Sequence, residues 1–426
     1  MRIHTLKDAL KGHAVQRSST MNLLASLPAA VLLFVCAGNV FAAPDESIQG
    51  KDQGYPTTLK RWDRPPNRVG NYSNLAAILP VNAIAASTKP RPLVEPGDVA
   101  QKDRLSPALQ ERLAAHLDKF QVTGMLVIQD GRILYERYQY DRKPTHLFHG
   151  WSMSKTVLGM LVGTAVQDGL IRSVDDTAAT YLPSLAGTLH GNTKIKDLLQ
   201  MSTGAAVVHK PTAEGGDLGR IYDNLLSSRA DSFAVVKPWN ERAEPAGTRF
   251  NYNELGPITL THVLRKVTGK SLAGYAQERL WQPLGAAGAA NWATDSTGVE
   301  LGCIGFGATL RDWGRLGMLL ADDGLYDKRQ IISKDWLLKA TTVAPEDKHL
   351  QVGVATSHSG YGYLTWIDAY RQRRVFSLRG YHNQFVVVAP DLKLVMVQTA
   401  VGDDWVEFPK AMYGIYSAMM AELEKR

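Results

Sequence analysis

Apolar side chains recur at helical spacing at two places along the chain. Between residues 107 and 120 they lie three or four positions apart, and Ser106 followed by Pro107 is a typical helix start. The segment from Pro409 onward repeats this spacing close to the end of the chain. The pattern therefore predicts one helix over about 107–120 and a terminal helix.

Short apolar runs of strand length occur in two pairs. Residues 125–135 contain two runs on either side of Asp130-Gly131, a dipeptide that is typical of a tight hairpin. Residues 385–397 contain two more runs, joined by a short turn that holds a proline. The runs predict strands near both ends of the main part of the chain.

These elements indicate an α+β fold, an α/β sandwich with one antiparallel sheet built from both chain ends. The N- and C-terminal helices are expected to flank this sheet on one face. Over about 157–300 the pattern is mostly helical, so we expect a helical region inserted after the first hairpin. The whole domain is expected to span residues 101–426. Residues 43–100 are rich in Pro, Asn and Gly and predict an irregular N-terminal arm.

The first 42 residues have the pattern of a secretory signal. Four basic residues precede an apolar stretch over residues 23–37, and Val40-Phe41-Ala42 provides a cleavage site. The stretch is too short for a stable membrane span, although an uncleaved anchor is the alternative. We therefore predict cleavage after Ala42 and a periplasmic or secreted protein, with Met21 as an alternative start to Met1.

Composition excludes several classes of protein. The chain has 426 residues, 45% of them hydrophobic and 21% charged, which is ordinary for a globular protein. Without the four basic residues and one acidic residue of the leader, the formal charge of +7 falls to +4. Basic residues are scattered, so the sequence does not indicate nucleic-acid binding. It contains no metal-binding or phosphate-binding motif, and we expect neither a metal nor a cofactor.

One helix start combines a potential nucleophile with a potential base. Ser152 and Lys155 are three positions apart at the beginning of an apolar helix, so they lie on one face. Burial lowers the pKa of a lysine and makes a neutral amine accessible, which would activate the serine. A helix N-terminus also places a backbone N–H beside the serine oxygen. The alternative is a capped amphipathic helix with a solvent-exposed lysine.

Two further segments provide partners for this pair. Tyr252 follows a Pro-Gly turn and is a candidate proton relay, or else an ordinary core tyrosine. Gly380 precedes a strand and lets the sheet edge approach a substrate closely. The N–H of Tyr381 is then a second oxyanion donor opposite that of Ser152. His382, which is otherwise a structural residue, is a candidate for substrate contact.

The order of these motifs resembles the serine β-lactamase and penicillin-binding-protein superfamily. The stretches 195–204, 280–285 and 308–317 add to the resemblance, which covers about 70 to about 420. Within the superfamily the chain looks most like 6-aminohexanoate-dimer hydrolases and related esterases. The segment 72–80 and the absence of a Lys-Thr-Gly triplet both indicate that group.

The resemblance implies a β-lactamase/transpeptidase-like fold and a role for each motif. Ser152 would be the acylated nucleophile, Lys155 its base and Tyr252 the proton relay. Glu254 stands where many members carry Asn, so it is expected to affect recognition of a substrate amide and the local charge balance. Arg379 lies in the segment that replaces Lys-Thr-Gly, and it is the candidate substitute for the missing cation.

The sequence therefore predicts an exported serine hydrolase that cleaves a small-molecule ester or amide through an acyl-enzyme on Ser152. One alternative keeps the enzyme but makes it a β-lactamase or a D-amino-acid peptidase. Another is a sensing module of the same fold that does not turn over, similar to a penicillin-binding protein. The sequence specifies neither the natural substrate nor an oligomeric state.

Overall fold

The computed structural model describes residues 45–208 and 216–426, so the predicted leader over residues 1–42 lies outside it. The α-helices of the described residues are α1 (Arg68–Ser73), α2 (Pro107–Lys119), α3 (Met153–Gln167), α4 (Ala178–Tyr181), α5 (Ile195–Leu199), α6 (Gly216–Tyr222), α7 (Ser232–Val236), α8 (Leu255–Thr268), α9 (Leu272–Ala276), α10 (Leu310–Ala321), α11 (Lys334–Thr341) and α12 (Glu407–Leu423). The strands are β1 (Val81–Ile84), β2 (Val122–Gln129), β3 (Arg132–Tyr138), β4 (Leu147–His149), β5 (Ala290–Ala293), β6 (Phe306–Thr309), β7 (Leu325–Tyr326), β8 (Arg329–Gln330), β9 (Ser359–Tyr361), β10 (Trp366–Asp368), β11 (Val375–Gly380), β12 (Gln384–Ala389) and β13 (Leu394–Ala400).

Seven strands form the main sheet in the order β3-β2-β13-β12-β11-β10-β9, and each neighbouring pair is antiparallel. The predicted hairpin joins β2 to β3. Asp130 and Gly131 both have positive φ, 47° and 78°, as a tight hairpin turn requires. The first hairpin lies directly beside the last strand, so both chain ends build one sheet, as the sequence indicated.

The main sheet is buried on both faces because its strands alternate between two apolar layers. Leu126 and Ile128 pack in one hydrophobic core, whereas Met125 and Val127 pack in the other. Helices α2 and α12 cover the second face, and α3 and α10 cover the first. The result is the three-layer α/β/α sandwich, with the terminal helices together on one face as predicted.

The helical region between β4 and β5 contains α3 to α9, in agreement with the predicted insertion. A second, four-stranded sheet in the order β1-β5-β6-β4 lies next to it. Since α3 begins four residues after β4 ends, this small sheet fixes where the helix starts. Among the described helices, none reaches the combination of length and hydrophobicity that a bilayer crossing demands.

The N-terminal stretch is more regular than its composition indicates. It contributes helix α1 and strand β1, and β1 pairs antiparallel with β5 through Val81 and Ala293. Val69 and Tyr72 are buried against the rest of the domain. Apolar side chains spaced among the Pro, Asn and Gly residues therefore dock this arm and give it regular structure.

Helix α10 lies close to the main sheet because glycines face the strands. A Cβ atom on Gly317 would come within 2.4 Å of Val395 Cγ1, which is a severe overlap with a stiff, buried side chain. Gly414 in α12 has no heavy atom within 4 Å of the same position. These two helical glycines therefore form a matched pair.

We expect Gly317→Ala to destabilise the protein by about 1 kcal/mol, because overpacking costs more than the gain in helix propensity. Gly414→Ala should stabilise it by about 0.5–1 kcal/mol through propensity alone. Urea unfolding of both variants checks the opposite signs, and equal shifts would contradict this packing.

Candidate active site

A strained turn presents Ser152 at the start of α3. Trp151, the residue before it, has φ of 50°, in the left-handed region that bulky residues rarely adopt. The Ser154 hydroxyl stabilises this turn: it donates to the Trp151 carbonyl at 2.6 Å and accepts the Phe306 N–H at 2.9 Å. Strain of this kind persists only where its surroundings enforce it, and here it positions one hydroxyl.

Lys155 lies beneath Ser152, with its amine turned away from bulk water. The side chain is about 1% exposed. Its Nζ donates to Ser152 Oγ at 2.9 Å and to the Cys303 carbonyl at 3.0 Å. It also forms an ion pair with the carboxylate of Glu254. Lysine and serine are therefore in direct contact, as their spacing predicted.

The sequence analysis predicts a neutral amine on Lys155, and this prediction is wrong. Burial does lower the pKa of Lys155, but the Glu254 carboxylate and the Tyr252 phenol raise it more, and the net direction is upward. The sequence identified the desolvation but not the buried anion that outweighs it. Lys155 consequently carries its proton when the site is at rest.

Tyr252 completes the group around the nucleophile. Asn253 Oδ1 accepts the Leu255 N–H at 3.0 Å, so the tyrosine stands immediately before α8. Its phenol interacts with both Ser152 and Lys155. Burial raises the pKa of Tyr252, so the hydroxyl is protonated at neutral pH and available as a donor. The structure thus brings the three predicted catalytic residues together.

The predicted oxyanion donors lie on segments that meet at a glycine. A Cβ atom on Gly380 would lie 2.1 Å from the Gly150 carbonyl oxygen, so only glycine allows β11 to approach the serine turn. Within residues 45–208 and 216–426, neither the Ser152 N–H nor the Tyr381 N–H has a hydrogen-bond acceptor. Both donors are therefore free to bind an oxygen.

His382 faces the N-terminal arm. It is about 1% exposed, and its Nδ1 lies 2.5 Å from the Tyr72 hydroxyl while its Nε2 lies 2.9 Å from the Asp403 carboxylate. Asp403 in turn pairs with Arg68 at 3.0 Å. We call His382, Tyr72, Asp403 and Arg68 the arm cluster. It holds the turn that follows Tyr381.

Arg379 is tied into the main sheet. Its guanidinium contacts the Asp368 carboxylate and donates to Ser377 Oγ at 3.0 Å and Ser359 Oγ at 2.5 Å. It also lies over the Trp366 ring at 4.8 Å. Asp368 neutralises the charge, so Arg379 does not supply a free cation for a substrate carboxylate.

Glu254 is fully buried behind the lysine. One carboxylate oxygen accepts the hydroxyl of Tyr222 and the other pairs with Lys155. The sequence placed Glu254 among the substrate-binding residues, whereas its contacts in the structure are with the catalytic lysine. Glu254 therefore acts on the charge of Lys155.

Several residues that contact the site were not among the site residues predicted from the sequence. Tyr222 comes from α6, the Cys303 carbonyl from a turn before β6, and Arg68 and Tyr72 from the arm. They contact the site across long sequence separations, and hydrophobic periodicity carries no information about such contacts. The described residues contain no group of three or more His, Cys, Asp or Glu that could hold a metal ion.

Fold and site together define a serine hydrolase. The chain belongs to the β-lactamase family, whose profile matches residues 109–414. It is 22% identical over 395 residues to a 6-aminohexanoate-dimer hydrolase of Paenarthrobacter ureafaciens, covering 88% of this chain and 95% of that protein. The resemblance inferred from the motifs is thereby confirmed.

Solved structures share the fold. A candidate 6-aminohexanoate-dimer hydrolase from Bacillus anthracis superposes with a TM-score of 0.75 at 23% identity, covering 86% of this chain and 97% of its own. A penicillin-binding protein homologue from Caulobacter crescentus gives a TM-score of 0.57 at 14% identity, with 74% and 96% covered. The β-lactamase/transpeptidase-like fold expected from the sequence is therefore confirmed.

We expect Gly380→Ala to lower kcat/KM for an activated ester about 100-fold or more. The new methyl group would push β11 away from Gly150 and displace the Tyr381 N–H, and one oxyanion donor contributes roughly 100-fold to 1000-fold. Steady-state kinetics with p-nitrophenyl acetate measures the loss. Gly414→Ala is the control, and retained activity in Gly380→Ala would contradict the proposed position of the donor.

His149 is buried just before the turn that carries Ser152, and it makes the free energy of unfolding depend on pH. Burial lowers the pKa of His149 to about 4, so between that value and about 6.5 only the unfolded chain binds the proton. The free energy of unfolding should fall as pH drops through this window. His149→Gln should reduce the slope by about 1.4 kcal/mol per pH unit. Urea titrations of both proteins from pH 7 to pH 4.5 test this, and an unchanged slope in His149→Gln would contradict it.

Proposed function

We propose that the protein is an exported serine hydrolase that cleaves a small-molecule ester or amide through an acyl-enzyme on Ser152. One observation carries the proposal. Ser152 Oγ stands at a strained helix start, in contact with a buried lysine and beside a protonated phenol. Among the described residues, two backbone N–H groups without acceptors lie on the adjoining segments. A binding module has no need of this combination.

The first step forms a bond between Ser152 Oγ and the substrate carbonyl carbon. The carbonyl π electrons move to oxygen, where the N–H groups of Ser152 and Tyr381 stabilise the negative charge. The Ser152 proton moves to Lys155 Nζ as the ammonium passes one of its own protons to a neighbouring acceptor, so Lys155 stays protonated. When the tetrahedral intermediate collapses, the bond to the leaving group breaks and Tyr252 protonates the departing oxygen or nitrogen.

A water molecule then hydrolyses the acyl-enzyme by the same steps in reverse. Its oxygen bonds to the acyl carbon, its proton follows the same route by exchange at Lys155, and the bond to Ser152 Oγ breaks as the serine regains a proton from Lys155. The products are a carboxylic acid and an alcohol or amine. None of these steps calls for a group beyond the side chains already present and one water molecule.

Aromatic rings beside the nucleophile favour an apolar or extended substrate. Trp366 stacks on Tyr252 with ring centroids 5.3 Å apart, and Phe250 lies 5.9 Å from Trp366. On the other side, the exposed rings of Tyr381 and Trp405 lie 4.9 Å apart. Similarity to a 6-aminohexanoate-dimer hydrolase makes a linear amide the first substrate to try, next to simple esters.

The neutralised Arg379 argues against the alternative of a β-lactamase or a D-amino-acid peptidase. Such an enzyme would need a cation for the substrate carboxylate, and Asp368 already occupies this one. A nitrocefin rate above the ester rate would favour that alternative. A burst of one equivalent without further release would favour the sensing module.

Export is supported by the leader pattern of residues 1–42. The intact mass of the protein recovered from the periplasm or the medium tests both its location and cleavage after Ala42. A full-length protein that stays in the cytoplasm would contradict this part of the proposal.

We expect Ser152→Ala to abolish turnover of p-nitrophenyl acetate and to leave the unfolding midpoint nearly unchanged. The substitution removes only the hydroxyl group, whose oxygen is the proposed site of acylation. Exposed Ser184→Ala is the matched control and should keep full activity. Turnover that survives in Ser152→Ala would remove this residue from the mechanism.

A fluorophosphonate probe locates the nucleophile directly. Intact-mass analysis should show one adduct on the wild-type protein and none on Ser152→Ala, and digestion should place the adduct on Ser152. An adduct on any other residue would overturn the site assignment.

A further inference from the structure

Behind the nucleophile, a second proton acceptor contacts the catalytic lysine. Glu254 and Lys155 form an ion pair, and each side chain is about 1% exposed. The Ser152 hydroxyl lies on another side of the same ammonium, 2.9 Å from Nζ. Serine, lysine and glutamate are therefore joined in one continuous line of polar contacts.

The ion pair keeps Lys155 protonated, and the contact with Glu254 offers a route by which the serine proton can still be taken up. A protonated lysine cannot accept the serine proton, because it has no free electron pair. Loss of its proton to solvent is opposed by the buried anion beside it. A transfer within the pair avoids both obstacles, since the lysine can give one proton to Glu254 as it takes another from Ser152.

We propose that Glu254 is a positioning residue that acts through Lys155 as the proton acceptor for the acylation step. As Ser152 Oγ bonds to the carbonyl carbon, its proton moves to Lys155 Nζ and a lysine proton moves to the Glu254 carboxylate. Lys155 remains an ammonium throughout. When the leaving group departs with a proton from Tyr252, Tyr252 regains one from Lys155, and Lys155 regains one from Glu254.

The surroundings of Glu254 suit an acceptor that must return its proton. Tyr222 donates to one carboxylate oxygen and fixes the group, which leaves the other oxygen to Lys155. The Cys303 carbonyl accepts from Nζ at 3.0 Å and holds the ammonium between its two partners. A substrate-binding role would require exposure, and the side chain of Glu254 has almost none.

Other titratable groups near the pair do not obscure its pH dependence. Burial raises the pKa of four of them, which keeps each one protonated at neutral pH: Tyr222, Tyr252, Tyr361 and the Cys303 thiol. Arg379, which acts on Tyr252 from β11, stays charged against Asp368. These neighbours therefore do not compete with Glu254 as the proton acceptor.

The inference rests on the proposed function, so its test measures acylation and needs no natural substrate. The second-order rate of fluorophosphonate labelling at Ser152 is measured from pH 5 to pH 10 in the full-length protein. Glu254→Gln keeps the size and shape of the side chain but carries no charge and cannot accept the proton. Glu300→Gln is the matched control, because Glu300 is also buried and pairs with Arg265 at 2.7 Å.

We expect wild type and Glu300→Gln to share one pH profile, with a plateau through neutral pH. In Glu254→Gln the lysine must lose its proton to solvent before it can accept the one from Ser152, so labelling should be about 100-fold slower at the acidic end of the pH range, within the range of general base catalysis. Removal of the buried anion lowers the pKa of Lys155. The rate should therefore recover as pH rises, and the acidic limb lies at higher pH than in the wild type.

The outcomes separate this inference from the proposed function. Wild-type labelling at a residue other than Ser152 overturns both. Normal wild-type labelling with an unchanged rate in Glu254→Gln overturns the inference alone, and so does a slower rate with an unshifted profile, which a purely structural role would give. If Glu254→Gln does not fold, wild-type labelling is measured in mixtures of H2O and D2O instead: a curved dependence of the rate on the D2O fraction, as two protons moving together would give, supports the relay, and a linear dependence overturns it.

Discussion

The buried ion pair between Lys155 and Glu254 is the contact on which the rest of the site depends. Either charge left alone in the interior would cost several kcal/mol, so each requires the other. In the proposed mechanism the lysine acts while protonated, and Tyr252 and Glu254 stand at the two ends of the proton path. The small sheet and α3 fix the lysine, and the turn before α8 fixes the carboxylate.

Geometry around the oxyanion donors follows from a second constraint, the contact between Gly150 and Gly380. Two segments separated by more than 200 residues meet there at backbone distance, which no side chain permits. Trp151 with its positive φ and the buried His149 flank Gly150 in the same turn. Each is energetically unfavourable alone, and the packing around the turn maintains both.

Much of this architecture was predictable because its signals are local. Asp130-Gly131 encodes a hairpin, Ser106-Pro107 encodes a helix start, and the spacing of Ser152 and Lys155 places them on one helical face. The protonation state of Lys155 was not predictable, because it depends on a carboxylate 99 positions away. Likewise His382 suggested substrate contact, and only the docked arm showed its partners. Residue types indicate the available chemistry, whereas long-range packing decides which group performs it.

The arm cluster joins two segments that lie far apart in the sequence. Arg68 and Tyr72 come from the N-terminal arm, whereas Asp403 follows the last strand of the main sheet. The turn beside Tyr381 therefore gains its full support only when both segments have docked. Docking of the arm and completion of the sheet are thereby coupled at the reactive centre.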